Sequence, residues 1–306
     1  MEIRALQKIT AGWTHPAGRR ALSALVSAGM AALLLSSCVK DELHNTPHPD
    51  KGKIAVTADW TDKGENIPVP EKWTVSLGDY TGEETAATHA PDYLFEPGDY
   101  TLAAHNEPEG ITISGTTATV AADPNNTGCI AGQPGWLFTS VQTVTIEADR
   151  DHEFTAVMRQ QVRGLTLVIE PAGDARERII AVTGTLSGAA GTLDFAMDTH
   201  GTPSSVALTF TKITEGTDAG KWTATVRLLG IAGDTQALTA VITYADGNPQ
   251  DTVLESDLTT ALAGFNSDKT VPLTLGGTIV ETPAEAGVSA TISDWNIIMA
   301  GPVEAM

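Results

Sequence analysis

Ile54-Ala55-Val56-Thr57-Ala58-Asp59-Trp60 sets the rhythm of almost everything that follows it. Ile54, Val56, Ala58 and Trp60 alternate with Ala55, Thr57 and Asp59, and successive side chains of an extended strand point to opposite faces. One apolar face and one polar face is what a half-buried antiparallel strand needs. Moving outward, the same period returns at Trp73-Val75-Leu77, Tyr100-Leu102-Ala104, Ile111-Ile113, Val144-Ile146 and Phe154-Ala156-Met158. Pro97-Gly98, Pro108-Glu109-Gly110 and Asp123-Pro124-Asn125-Asn126 separate these runs with turn chemistry. The Gly- and Pro-rich segment 123–136 reads as a surface loop.

A second series starts near Val162. Leu165, Leu167 and Ile169 lead into Pro171-Ala172-Gly173. Leu193-Phe195-Met197, Val206-Leu208-Phe210, Trp222-Ala224-Val226 and Ala240-Ile242-Tyr244 follow, the last ending in a hairpin-type Asp246-Gly247. Val271-Leu273-Leu275 and Val288-Ala290-Ile292 complete the set. One helix is expected among them, capped by Ser256, with Asp257 in its first turn and Leu258, Ala261, Leu262 and Phe265 on one face. Many short strands broken by turns predict an all-β protein built as antiparallel β-sandwiches with one short helix. The length suits two domains. The chain divides near Gln160-Gln161 into a sandwich over 53–160 and another over 161–306, with no internal repeat between them.

The N-terminus has a different logic. Arg19 and Arg20 precede an apolar run from Ala21 to Leu35, which ends in Ser36-Ser37-Cys38. Charge, apolar core and small residues come in the order of a secretory signal, so residues 1–37 are expected to be removed. The run is shorter than the ~20 residues a membrane-crossing helix needs. A cysteine directly after the small residues resembles a lipobox, which makes Cys38 the lipidation site and first mature residue. Its acyl chains would tether the protein to outer-membrane lipid. Lys40, Asp41 and Glu42 resemble the export signal that carries such lipoproteins of Bacteroidia-type bacteria to the cell exterior. Residues 38–52, broken by Pro47 and Pro49, read as a flexible linker, and His44 and His48 within it lack the fixed geometry of a metal site.

Charge and motifs exclude several functions. The formal charge is −20, and a leader holding Arg4, Lys8, Arg19 and Arg20 against Glu2 leaves the mature part more acidic still. Phosphate backbones would repel it, so no nucleic-acid partner is expected. With Cys38 acylated, Cys129 has no partner for a disulfide and reads as a small buried residue. Gly220-Lys221-Trp222 lacks the spacing of a phosphate loop. His152-Glu153 has Ala156 where a zincin needs its second histidine, and Ser187 in Gly184–Gly188 sits one place too late for a nucleophile elbow. Asp123, Asn125 and Asn126 make a turn rather than a calcium cage, and Glu83-Glu84 are adjacent surface acids rather than a glycosidase pair. No catalytic residue, cofactor or metal follows. Trp60, Trp73, Trp222 and Trp295 fall on apolar strand faces and are read as core. Trp136 in the loop is either a sugar or partner contact or a plug for the end of the sandwich, the plug being preferred.

Three stretches carry a family resemblance: the lipobox with Lys40-Asp41-Glu42, the segment Tyr93–Leu102 followed by Ala104-His105-Asn106, and Val162–Ile169. Together they resemble the fimbrial anchor and accessory lipoproteins of Bacteroidia, relatives of the minor-fimbrium anchor subunit. The resemblance implies two transthyretin-like β-sandwich domains and assembly with pilin subunits, one subunit lending a strand to the next. It also implies that shaft subunits lose their first strand after an arginine, opening a groove. Between Cys38 and Arg150 this chain has no arginine, which fits an anchor better than a shaft subunit. The competing reading is a surface lipoprotein that binds glycan or host ligand through loops such as 123–136.

Overall fold

The structure, a computed structural model, describes residues 48–172, 175–245, 251–284 and 287–298. Cys38, Lys40, Asp41, Glu42 and the Asp246-Gly247 turn lie outside the described residues. Alternating burial follows the sequence period closely: β1 (Gly52–Asp59) buries Ile54, Val56 and Ala58 on one face. It is the middle strand of a three-stranded sheet, between β10 (Arg150–Val157) and the short β4 (Thr88–His89). A five-stranded sheet faces it, in the order β11 (Arg159–Gln160), β9 (Phe138–Ile146), β5 (Gly98–His105), β2 (Trp73–Leu77) and β3 (Tyr80–Glu84). Trp73, Val75, Leu77, Leu102, Phe138, Ile146 and Met158 fill the space between the layers.

Beyond residue 160 a second sandwich forms. One layer runs β17 (Thr252–Asp257), β16 (Ala237–Tyr244), β13 (Ile179–Asp194) and β14 (Thr199–Lys212). The other runs β15 (Trp222–Leu228), β12 (Arg163–Pro171), β18 (Leu273–Ala284) and β19 (Gly287–Ile297). The layers are joined where β14 pairs with β15, at Thr211–Thr223 and Lys212–Trp222. From there the strands separate around a core that includes Leu165, Leu167, Ile169, Leu186, Leu208 and Phe265.

The described residues belong to one compact unit. A third cluster, with Ile111, Val120, Leu137, Val162, Leu193 and Leu229, draws on both sides of Gln160. The β6 (Ile111–Ser114) and β7 (Thr117–Val120) hairpin pairs with β13 through Thr117–Asp194 and Thr119–Thr192.

Five local expectations need correction. The sheets are mixed, because β1 runs parallel to β10 and β12 parallel to β18. The segment 123–136 is not a free loop: β8 (Cys129–Ile130) pairs parallel with Ser205 and Val206 of β14. The Arg227 amide then donates to the Gly132 carbonyl at 2.9 Å, so residues 129–132 fill the wedge where β14 and β15 diverge. Cys129 is half-buried rather than buried. The expected helix shrinks to a single turn, α2 (Thr259–Leu262), and Ser256-Asp257 end a strand instead. Finally, β13 stops at Asp194, whose carboxylate accepts the amides of Ala196 and Met197 and turns the chain, leaving Met197 74% exposed. A four-residue helix, α1 (Ala175–Arg178), precedes β13.

Candidate strand-accepting sites

Two places in this fold bear on strand exchange: a groove the chain fills itself and a pair of edges it leaves open. The filled groove is that of β1. All eight of its residues pair with β10, from Gly52–Arg150 to Asp59–Val157. On its other side Gly52 exchanges two 2.9 Å hydrogen bonds with Phe95, and the Ala58 amide donates to the Ala87 carbonyl at 2.9 Å. Ile54 and Val56 are at most 1% exposed, a burial worth about 1.5–3 kcal/mol for each side chain. No partner strand could enter without expelling β1.

The approach to β1 is also fixed. His48, read from sequence as part of a free linker, is 6% exposed. Its Nδ1 lies 3.0 Å from the Lys51 carbonyl and its Nε2 2.9 Å from Asp151. Burial alone would lower the imidazole pKa, but the Lys51 carbonyl and the Asp151 carboxylate outweigh it and raise the value above its ordinary one. Lys51 pairs with Glu96 at 2.8 Å. Gly52 is obligatory for space, since a Cβ there would meet Ile146 and the Glu147 carbonyl oxygen at 2.7 Å. The chain is therefore held to the body at His48, four residues before the first strand.

β17 and β19 end the strand order of the second sandwich and are two of the sheet edges that the fold leaves open among the described residues. Among the described residues no backbone ladder pairs these two strands. One side-chain relay spans them: Trp295 Nε1 donates to Ser256 Oγ at 2.7 Å, and Ser256 Oγ donates to the Ile292 carbonyl at 3.1 Å. A cleft of about 780 Å³ lies along the seam, lined by Glu255, Ser256, Asp257, Ile292, Asp294 and Ile297 among others. Ile297 in its lining stands 62% exposed, and Val253, two residues before Glu255 on β17, stands 63% exposed. An unpaired edge with exposed apolar side chains is a template for another strand.

The motifs weighed from sequence fall elsewhere and do not converge. His152-Glu153 sits on β10, with His152 stacked on Phe154. Ser187 is on β13, where its Oγ donates to the Ala237 carbonyl and accepts the Ala237 amide. Asp123 accepts the Asn125 amide and the Asn126 side chain, as a turn does. Glu83 pairs with Lys72, while Glu84 accepts two amides from Thr85 and Ala86. Trp73 and Trp222 are buried, and Trp60 and Trp295 are half-buried against the cores. Trp136 is half-buried between two clusters with the Arg227 guanidinium 5.2 Å over its ring, closer to the plug than to a platform. The β17 edge was missed in the sequence. Its signal was the alternation Val253-Leu254-Glu255, masked by the capping pattern at Ser256-Asp257.

Residues 76–300 match the fimbrillin-A associated anchor proteins Mfa1 and Mfa2. The chain belongs to this Mfa2 family. No curated protein sequence matches it. The Mfa2 fold is seen in solved structures: the fimbrial anchor protein Mfa2 from Porphyromonas gingivalis is 14% identical, with a TM-score of 0.53 over 81% of this chain and 97% of that one. A candidate adhesin from Bacteroides ovatus is 15% identical, with a TM-score of 0.55 over 82% of this chain and 95% of that one. A second B. ovatus candidate adhesin gives 10% identity and a TM-score of 0.55, covering 81% and 96%. At such identities the likeness is one of fold, and the Mfa2 assignment rests on the family match.

Proposed function

We propose that this chain is the base of a fimbrium, a lipoprotein that holds pilin subunits at the outer membrane and faces the cell exterior without a catalytic step. One observation carries the reading: β1 completes its own sheet on both sides, and between Cys38 and Arg150 there is no arginine at which an Arg-specific protease could remove it. A subunit that keeps its first strand also keeps whatever is attached ahead of it. In this reading residues 1–37 are the signal peptide, Cys38 carries the lipid, and Lys40, Asp41 and Glu42 direct export. Two domains meet near residue 160. Pilin joins by strand addition at the β17/β19 seam, where backbone hydrogen bonds supply affinity and alternate side chains supply fit.

The competing reading, binding of glycan or host ligand through loops such as 123–136, is less favoured, since residues 129–132 are bonded into the second sandwich and the Arg227 guanidinium lies over Trp136. The test is capture of pilin subunits by the purified chain. Capture that is abolished by a peptide copying the pilin donor strand supports the proposal. Failure to capture pilin, or capture that the peptide leaves untouched, overturns it.

A further inference from the structure

A second cleft, of about 700 Å³, opens where β9 and β10 diverge toward the 195–198 turn and the 266–270 loop. Its strand edges are already bridged. Gln142 Nε2 donates to the Thr155 carbonyl at 3.0 Å, and Gln161 Nε2 donates to Thr139 Oγ1 at 2.8 Å. An added strand would break both contacts, so side chains rather than backbone are what this cleft offers. Its size is that of a small-ligand site.

Lys269 lines the cleft with its side chain only 10% exposed. Its ammonium has three donors and makes one hydrogen bond, to the neutral Gln161 Oε1 at 2.7 Å. The carboxylate it faces, Asp198, stands 4.0 Å away and is 83% exposed. Neighbouring Asp268 is engaged with the Thr270 amide and hydroxyl at 3.1 and 2.8 Å, and Asp62 lies 4.0 Å from Arg159. A buried charge is costly unless paired, and burial draws the Lys269 pKa down to about 8. In so acidic a chain, a sequestered ammonium whose ion-pair partner stands at 4.0 Å and is itself largely exposed has room for a closer carboxylate brought by a ligand.

We propose that this cleft binds an acidic sugar, whose carboxylate pairs with Lys269 and whose hydroxyls bond the surrounding polar side chains. The rest of the lining selects the scaffold. Asp62, Asp198 and Asp268 repel a bare anion, yet they accept hydrogen bonds from hydroxyls. Ser140, Gln142 and Thr155 offer both donors and acceptors.

The experiment is calorimetric titration of the mature chain with a glucuronic-acid-terminated disaccharide, its neutral glucose counterpart and acetate. The acid disaccharide is expected to bind, with the neutral one weaker by about tenfold or more, the range of a charge-assisted hydrogen bond. Lys269→Gln should reduce acid-disaccharide affinity by at least about tenfold, while Lys72→Gln, on the β2–β3 side of the first sandwich, leaves it unchanged. Thermal melts of both variants report whether they fold. If folded Lys269→Gln has lost stability, Lys269→Met supplies the second variant. No binding of the acid disaccharide, equal binding of the neutral one, full competition by acetate, or unchanged affinity in the folded Lys269 variants would each overturn the proposal. Cells carrying Lys269→Gln keep their fimbriae attached whatever the outcome, so the anchor role stands or falls separately.

Discussion

Single residues make this fold sensitive to acid. His200 has a buried Nε2 without a hydrogen-bond partner. Burial, and then the Lys269 ammonium, push its pKa down to about 4, with Asp198 and the Leu229 backbone opposing. The unfolded chain binds this proton near the ordinary value of 6.5, so its share of stability is complete above that pH and is lost as pH falls toward 4. Asp257 and Asp268, held low by hydrogen bonds from Thr259 and Thr270, add losses in the same direction at lower pH. Melting temperature should therefore fall between pH 6.5 and 4, and His200→Gln should flatten that part of the profile. His48 works with the opposite sign. Its raised pKa contributes stability below 6.5 that disappears as pH rises through the folded value. At Gly52 the issue is space: Gly52→Ala should cost about 1–3 kcal/mol in chemical denaturation, the usual penalty for overpacking, because Ile146 and the Glu147 carbonyl already occupy the site.

Strands and seams were unevenly legible in the sequence. Runs such as Ile54–Trp60, Val162–Ile169 and Trp222–Val226 became strands in the expected phase, because their period-two pattern meets no competing signal. Ser256-Asp257 failed because a hydroxyl followed by an acid looks the same before a helix and at a strand end. Asp257 does accept the Thr259 amide at 2.8 Å, but the turn it starts lasts four residues. Met197 failed because Asp194 bends the chain before the alternation can continue. Partners across the sheets leave no periodic trace: β8 in the β14/β15 wedge pairs Cys129 with Ser205 and Ile130 with Val206, far along the chain. The same is true of the Lys269 cleft. For the β17/β19 seam, Ser256→Ala would strand the Trp295 indole N–H and should cost about 1–3 kcal/mol. Val253→Lys should leave the melting temperature within a degree or two while abolishing pilin capture, since a charge on an open edge discourages strand addition. Unimpaired capture by Val253→Lys would remove β17 from the proposed docking site.

At the scale of the molecule, two sandwiches share a third cluster and a cross-paired hairpin, so pull on one is borne by the other. That suits a subunit under tension from a filament, provided it is moored. Cys38→Ser should release the chain, with attached fimbriae, into the medium, and a variant that still partitions with the envelope would argue against the lipid. The account depends most on the first strand staying in place. Mass spectrometry of the chain recovered with surface fimbriae tests this directly. The prediction is an acylated Cys38 peptide continuous with Gly52–Asp59, whereas a chain that starts beyond Asp59 would contradict it.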